Sequence, residues 1–121
     1  MNTAIFFADG FEEIEGLTVV DMFRRAGISI QTVSISDSLT VTGSHDIKVQ
    51  ADCLLKDFDF NTVEMLILPG GMPGTTNLSK CEPLCDALMQ FSRQGHYLAA
   101  ICAAPSILGG LGILNGRVAT C

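Results

Sequence analysis

Short apolar runs alternate with segments of mixed character along the chain. Nearly continuous apolar runs of four or five residues predict strands that are covered on both faces, and looser alternation predicts half-buried strands. A break at Gly43-Ser44 divides the longest of these segments, and Asn115-Gly116 predicts a turn before the last one. The predicted strands are Ala4 to Ala8, Ile28 to Ile35, Leu39 to Val49, Met65 to Leu68, Tyr97 to Ile101 and Arg117 to Thr120.

Helical spacing appears between these runs. Glu13 to Ala26 ends with basic residues before Gly27, which is typical of a helix C-terminus. Pro83 to Gln94 forms a second amphipathic helix, and Pro105 can begin a third. The apolar stripe predicted to face the core from the first helix consists of Ile14, Leu17, Val20 and Phe23.

The alternation of strands and helices predicts an α/β fold with a mainly parallel sheet. No repeat or low-complexity stretch divides the chain, so we expect one domain over residues 1–121. Ligands bind beyond the carboxyl ends of the strands in such sheets. Three loops should therefore converge at one edge: Asp9 to Glu15, Pro69 to Gly74 and Cys102 to Pro105.

Hydrophobic content, net charge and the length of the apolar runs exclude several classes of protein. Hydrophobic residues make up 48 % of the chain, which is far above the level of a disordered segment. The net charge of −6 would repel nucleic acid, so we expect no such partner. No apolar run approaches the length of a membrane span, and Met1 to Ala8 resembles no secretory signal. We therefore expect a cytoplasmic chain that contacts no membrane.

Five cysteines are present, at positions 53, 81, 85, 102 and 121. Their odd number and the absence of a CxxC pair argue against a disulfide framework or a zinc ribbon. Cys81 and Cys85 could share a helix face, but a metal site needs further ligands. We expect neither a metal nor another cofactor.

Cys102 is the most informative of these cysteines. It follows an apolar strand and precedes Ala103-Ala104-Pro105, which is the layout of a nucleophile elbow with small residues on either side, Ala100 and Ala104. Amides of a following helix turn would favour the thiolate. A buried structural cysteine is an equally good interpretation of this segment alone.

Two further features accompany Cys102 at the predicted edge. Gly70-Gly71 lets backbone N–H groups approach a ligand as an anion pocket, although a plain turn explains the glycines as well. Glu15 lies among apolar residues, where a carboxyl tends to stay protonated and can donate a hydrogen bond to sulfur. Its alternative role is that of an ordinary acidic residue in a first helical turn. His45 and His96 adjoin no candidate nucleophile in the sequence, so a Cys/His pair is not evident.

Together these segments resemble the ThiJ/PfpI superfamily, also called the DJ-one family, and most of all its bacterial members. The resemblance lies in the order and spacing of three stretches that span most of the chain. They are ADGFEEIEGLTVVDMFRRAGI (Ala8 to Ile28), LILPGGMPGTTNL (Leu66 to Leu78) and AAICAAPSIL (Ala99 to Leu108).

The resemblance implies a flavodoxin-like three-layer α/β/α sandwich that forms a homodimer. It also implies an elbow cysteine at Cys102, a protonated partner at Glu15, and anion-binding amides at Gly71 and Ala103. Members of the family are described as glyoxalases or deglycases that act on 2-oxoaldehydes, and as redox-sensing chaperones in oxidative stress.

Two positions depart from the family pattern. Cys121 stands where members often carry a histidine near the nucleophile, and it suggests a second thiol beside Cys102. His45 stands where members often carry an arginine near the partner subunit's pocket. The family fold also implies more strand and helix after Arg117 to Thr120, so we expect the 121 residues to be a C-terminally truncated portion of the domain.

Three hypotheses follow. In the first, Cys102 attacks a small 2-oxoaldehyde or its adduct, and Glu15 relays the proton. In the second, the protein is a redox sensor or chaperone without turnover, in which an oxidant converts Cys102 to a sulfinate. The third, an amidotransferase or peptidase, ranks last because it needs a histidine base.

Overall fold

The central feature of the fold is a five-stranded parallel sheet. The computed structural model describes all residues from Met1 to Cys121. The strands lie in the order β5-β2-β1-β6-β7, and every pairing in this sheet is parallel. Their bounds are β1 Asn2–Phe7, β2 Ser29–Ser34, β5 Cys53–Leu54, β6 Met65–Leu68 and β7 Tyr97–Ala100.

The segment predicted as one interrupted strand forms an antiparallel hairpin outside this sheet. Its strands are β3 (Thr40–Thr42) and β4 (Lys48–Gln50), with Val41 paired to Val49. The break predicted at Gly43-Ser44 lies in the loop between them. This hairpin is hydrogen-bonded to the loop after β1, where the Gly10 N–H donates to the Thr42 carbonyl at 2.8 Å.

Four helices connect and cover the strands. Two of them, α1 (Glu13–Arg25) and α3 (Glu82–Gln94), match the predicted amphipathic segments, and α4 (Pro105–Gly110) begins at the predicted proline. The short helix α2 (Gly74–Ser79) was not predicted, because glycine and threonine are poor helix formers. Single 3₁₀ turns occupy Leu55–Asp57 and Phe60–Thr62.

Alternation along β1 divides the core into two layers. Ala4, Phe6 and Ala8 pack with residues of α3 and α4, such as Leu88, on one face of the sheet. Ile5 and Phe7 pack on the other face with Val20 of α1. Helices therefore cover both faces of the sheet, and the predicted three-layer α/β/α sandwich is confirmed.

Two predictions about this fold are wrong. Ile14, expected in the inward stripe, is 73 % exposed, while Glu13 is buried because its carboxylate receives hydrogen bonds from the hairpin. Arg117 to Thr120 forms no strand, since no residue there pairs with β7 or any other strand.

No helix of the fold is both long enough and apolar enough to cross a membrane.

Candidate active site

Three loops meet beyond the carboxyl ends of β1, β6 and β7, as the sequence predicts. Backbone hydrogen bonds join them directly: the Glu12 N–H donates to the Gly70 carbonyl at 2.9 Å, and the Ile101 N–H donates to the Leu68 carbonyl at 3.2 Å. A third bond runs from the Gly74 N–H to the Gly10 carbonyl at 3.1 Å. The β1/β6 pair lies where strand order reverses, which is the usual ligand position in open parallel sheets.

Cys102 occupies a tight turn between β7 and α4. Its φ is 59°, in the left-handed region that non-glycine residues seldom adopt outside functional sites. The residue is exposed, while the following Ala104 is fully buried under the turn. The alternative of a buried structural cysteine is therefore wrong, and the local geometry is that of a nucleophile elbow.

Glu15 lies directly beside this cysteine. The Gly70 N–H donates to Glu15 Oε1 at 3.0 Å and fixes the carboxyl at the edge of the sheet. A Cβ at Gly70 would lie 2.5 Å from that oxygen and 2.9 Å from Cys102 Cβ, so all three residues converge on one point. Glycine is required at position 70 because only a residue without a side chain leaves room for this contact.

The electrostatics of Cys102 differ from the prediction. A hydrogen bond to Glu15, the negative charge of Glu15 and partial burial all raise the pKa of the Cys102 thiol. The Ala103 N–H acts in the opposite direction but does not outweigh these contributions. The expectation that an amide of the turn favours the thiolate holds for Ala103, but the expected net lowering of the Cys102 pKa is wrong, because the neighbouring carboxyl outweighs that amide.

The predicted anion pocket is only partly available. The N–H groups of Gly71 and Ala103 donate to no oxygen in the chain. Gly71 has a φ of 94°, which a residue with a side chain would adopt only with strain. The Gly70 N–H, also predicted to bind an anion, is instead occupied by Glu15. Of the three predicted amides, the Gly71 N–H thus has no partner, and the Ala103 N–H is directed at the Cys102 sulfur.

Glu13 is a buried carboxylate near the candidate site that the sequence analysis did not single out. Its buried carboxylate accepts from His45 Nδ1 at 2.9 Å and from the backbone N–H groups of His45 at 2.8 Å and Ile47 at 3.3 Å. Burial opposes its ionisation, but these hydrogen bonds prevail and lower the pKa of Glu13 to about 2. Three acidic residues begin α1, and nothing in the sequence distinguishes the one that turns inward.

His45 belongs to this cluster rather than to Cys102. The hydrogen bond to Glu13 and the charge of the same carboxylate raise the pKa of His45. Glu12 Oε1 lies 3.5 Å from His45 Nδ1. Ligand atoms of Glu12, Glu13 and His45 lie within 4.8 Å of one another, so these residues are the ones that could hold a metal ion. The hydrogen bonds to Glu13 already account for the arrangement without one.

The remaining residues that the sequence analysis considered are Cys121 and His96. Cys121 is exposed and borders a cavity of about 190 Å³ together with Pro105 and Ser106, in the first turn of α4. His96 lies before β7, at the opposite edge of the sheet, and packs against Phe91. An apolar groove of about 180 Å³ runs from Glu15 between α1 and the β6/β7 pair.

This fold and site define a class: α/β sandwich proteins with an exposed cysteine on a strand-to-helix elbow and a carboxyl against it. Within that class, the chain belongs to the DJ-1/PfpI family, whose family model matches residues 1–121.

Relatives and solved structures agree with this assignment. Protein DJ-1 homolog B of Arabidopsis thaliana is 36% identical over 115 residues, covering 94% of this chain and 26% of that protein. The glutathione-independent glyoxalase DJR-1.2 of Caenorhabditis elegans is 33% identical over 110 residues, covering 91% of this chain and 58% of that protein. The structure of oxidised Toxoplasma gondii DJ-1 superposes with a TM-score of 0.91 at 34% identity, covering 95% of this chain and 63% of that one. The chain therefore spans less than two thirds of each of these three relatives.

Proposed function

We propose that the protein is a cofactor-independent, cysteine-dependent glyoxalase or deglycase that converts small 2-oxoaldehydes, or their adducts, to 2-hydroxy acids. The observation that carries the proposal is the convergence of the exposed Cys102 and the Glu15 carboxyl on Gly70, at the strand-to-helix elbow. The similarity to the glyoxalase of Caenorhabditis elegans supports the same substrate class.

The first step of the proposed reaction is nucleophilic addition. Glu15 takes the proton of Cys102, and the sulfur attacks the aldehyde carbon of methylglyoxal to form a hemithioacetal. The negative charge that develops on the carbonyl oxygen is stabilised by the N–H groups of Gly71 and Ala103, neither of which donates to a backbone oxygen. Such donors are most effective when they are held in place before the reaction, and the loop contacts hold both of them.

The second step is an internal transfer of hydrogen. Glu15 first gives the proton that it took from Cys102 to the hemithioacetal oxygen. It then moves a proton from the former aldehyde carbon to the neighbouring carbonyl carbon while the hydroxyl proton passes to the second oxygen, so the first carbon is oxidised and the second reduced. Water then cleaves the resulting thioester, releases lactate and regenerates the Cys102 thiol. The overall reaction adds one water to methylglyoxal and needs no external oxidant or reductant.

The direction of the Cys102 pKa predicts the pH dependence. Only the thiolate attacks the aldehyde, and the neighbouring Glu15 raises the pKa of the thiol. The fraction of thiolate, and with it the rate, is therefore expected to increase as pH rises from neutrality towards that pKa.

The test measures lactate formation from methylglyoxal by the purified chain. We expect Cys102→Ser to lose all activity above buffer and Glu15→Gln to lose about 10²-fold or more, as removal of a proton-transfer group does. Cys53→Ser is the matched control, because Cys53 lies at the far edge of the sheet, and it should keep the rate. Equal rates for wild type and Cys102→Ser, or none in either, would rule out the proposal.

A second candidate function is a redox sensor or chaperone that acts without turnover. It is favoured by the exposure of Cys102, in contrast to the partly buried Cys53, Cys81 and Cys85. Peroxide titration followed by mass spectrometry should place oxygen on Cys102 first, with the sulfinate held by Glu15. Oxidation of the other thiols at the same peroxide dose would contradict it.

A homodimer is the proposed assembly, and a cytoplasmic location stays a prediction. Ile14 and Met22 are 73% and 57% exposed on the outer face of α1, which leaves apolar surface for a second copy. Sedimentation equilibrium should give twice the chain mass.

An amidotransferase or peptidase is not favoured, because the ring nitrogen of His45 bonds to Glu13 and that of His96 lies at the other edge of the sheet.

A further inference from the structure

The backbone amide of Glu15 bonds to the side chain of Glu12. Glu15 is the third residue of α1, and the first amides of a helix have no carbonyl partner within the helix. The Glu15 N–H donates instead to Glu12 Oε2 at 3.0 Å. Glu12 is therefore the N-cap of α1, and its side chain fixes the turn from which the Glu15 carboxyl projects.

The backbone of Glu12 is itself fixed on both sides. Its N–H donates to the Gly70 carbonyl at 2.9 Å, and its carbonyl accepts from the Gly16 N–H at 3.0 Å. A side chain at Gly71 would collide with the same Glu12 N–H, so the two loops touch closely. The capping carboxylate thus extends from a point that cannot shift unless the glycine loop shifts with it.

Three hydrogen bonds join Glu12, Glu15 and Gly70 into a closed ring. The Gly70 carbonyl accepts from Glu12, and the Gly70 N–H donates to Glu15 Oε1 at 3.0 Å. The bond from the Glu15 N–H to Glu12 Oε2 closes the ring. The Glu15 residue is therefore held at its backbone by Glu12 and at its carboxyl by Gly70, next to Cys102.

The type of residue at this N-cap favours a role beyond capping. Serine, threonine, aspartate and asparagine are the preferred N-cap residues, and glutamate is not among them. The longer side chain of Glu12 places its second oxygen, Oε1, 3.5 Å from His45 Nδ1. Each oxygen of the carboxylate thus has a partner, one in the helix and one in the hairpin loop, and the two partners keep the carboxylate in one orientation.

We propose that Glu12 is a positioning residue for the reaction: its carboxylate holds the amide of Glu15 and thereby keeps the Glu15 carboxyl beside Cys102. The inference rests on the proposed function, because Glu12 acts through the proton transfer that Glu15 performs. Its own effect on the sulfur is small: among the groups that raise the pKa of the Cys102 thiol, Glu15 contributes most and Glu12 least.

Removal of the Glu12 carboxyl has a definite physical consequence. The Glu15 amide loses its only acceptor within the chain, so the first turn of α1 frays. The Gly70 N–H alone then holds the Glu15 carboxyl. A carboxyl that moves away from the sulfur raises the pKa of Cys102 less, and it is less often in position to transfer a proton.

The test measures alkylation of Cys102 by iodoacetamide across a pH series, in the tryptic peptide 94–117 of the 121-residue chain. Glu15→Gln defines the full effect of losing the Glu15 charge. We expect Glu12→Ala to move the midpoint of alkylation to lower pH by at least half of that shift. Glu12→Gln should move it far less, because glutamine keeps an acceptor oxygen at the same reach. Both Glu12 variants remove the same charge, so the difference between them isolates the hydrogen bond.

A double variant separates positioning from a direct effect on the sulfur. In the Glu15→Gln background no Glu15 charge is left to position, so Glu12→Ala should add no more shift than Glu12→Gln does. Glu12→Gly is a second variant without the bond in case Glu12→Ala does not fold, since glycine at an N-cap costs a helix less than alanine.

Asp59→Ala is the matched control for loss of a cap. Asp59 Oδ1 accepts from the Asn61 N–H at 2.9 Å, before β6 and thus at the opposite edge of the sheet from Cys102. Its removal should leave the midpoint of Cys102 alkylation unchanged.

The proposal is overturned if Glu12→Ala shifts the midpoint no more than Glu12→Gln, or if its shift is the same with and without the Glu15 carboxyl. Lactate formation is measured separately. We expect Glu12→Ala to lower kcat about tenfold with little change in KM, as part of the roughly 10²-fold that a proton-transfer group contributes, and Glu12→Gln to restore most of it. Alkylation needs no turnover, so failure of the proposed function and failure of this role of Glu12 are distinguishable.

Discussion

At the scale of single residues, the site is determined by one strained backbone conformation. A non-glycine residue at a φ of 59° costs of the order of 1 kcal/mol relative to an ordinary turn. Backbone hydrogen bonds on both sides hold it: Ile101 donates to Leu68, and Ala104 donates to the Ile101 carbonyl at 3.0 Å. The result is a sulfur that projects from the edge of the sheet towards Glu15.

Replacing Glu15 tests the charge state of that contact. Because an ionised Glu15 raises the pKa of the Cys102 thiol, Glu15→Gln should lower it and move thiol alkylation by iodoacetamide to lower pH. Mass spectrometry of Cys102 alkylation across a pH series measures the shift. Glu12→Gln is the control and should give a smaller shift, since Glu12 is the weakest contributor. A shift to higher pH would contradict the described effect of Glu15 on the thiol.

Gly70 provides a second test at this scale. In Gly70→Ala the added methyl would lie 2.5 Å from Glu15 Oε1 and 2.9 Å from Cys102 Cβ, so both groups must move. We expect lactate formation to fall about 10²-fold, the usual result of displacing reacting groups by an ångström. Gly110→Ala adds the same methyl where nothing lies within 4 Å, and it should leave the rate unchanged. Full activity of Gly70→Ala would contradict the described geometry.

At the scale of elements, the β3–β4 hairpin is clamped to the beginning of α1. Glu13 reaches from the helix into the hairpin loop, and Asp9 Oδ1 accepts from the Thr42 N–H at 3.0 Å nearby. This clamp orients the loop that contains Glu12 and precedes Glu15. The stability of the hairpin and the position of the site are therefore coupled.

The ion pair between Glu13 and His45 predicts a pH window for stability. Because the pKa of Glu13 is lowered on folding, its ionised carboxylate stabilises the folded state above pH 4.5, and this stability is lost as pH falls towards 2. Because the pKa of His45 is raised on folding, its protonated ring stabilises the folded state below pH 6.5, and this stability is lost as pH rises through the pKa of His45 in the folded protein. Both contributions are complete only between pH 4.5 and 6.5.

Urea denaturation across this range is the measurement. Wild type should lose unfolding free energy as pH rises above 6.5, and His45→Gln should lack that decline. Arg25→Gln is a suitable control, because Arg25 bonds to Asp21 on the exposed face of α1 and takes no part in the hydrogen bonds to Glu13. The account fails if His45→Gln and wild type show the same decline.

At the scale of the whole molecule, stability depends on the sheet and its two covering layers. Leu66 is fully buried in β6, so Leu66→Ala should lower the unfolding free energy by about 2–5 kcal/mol. Ile47→Ala removes apolar surface that is 50% exposed, outside the proposed dimer surface, and should change it by less than about 0.5 kcal/mol. Chemical denaturation of both variants checks this, and equal losses for the two variants would contradict the described core.

Much of this molecule could be predicted from its sequence because periodicity and strand order are local signals. The buried runs at β1 and β6 and the turn at Cys102 placed three loops at one edge, which is where the site lies. The inward turn of Glu13 could not be predicted, since it depends on hydrogen-bond donors more than 30 residues away in the hairpin. The direction of the Cys102 pKa was predicted wrongly because only the amides of the turn were weighed: the Ala103 N–H does lower the pKa, but Glu15 raises it more.

The central claim is that Cys102 is the nucleophile for an aldehyde carbon, and a trapped adduct tests it most directly. The chain is mixed with methylglyoxal, quenched within the first turnovers and digested with trypsin, which isolates Cys102 in the peptide 94–117. The account predicts a mass increase of one methylglyoxal unit on Cys102 that is absent in Cys102→Ser. An adduct found only on arginine, lysine or another cysteine, with Cys102 unmodified, would contradict it.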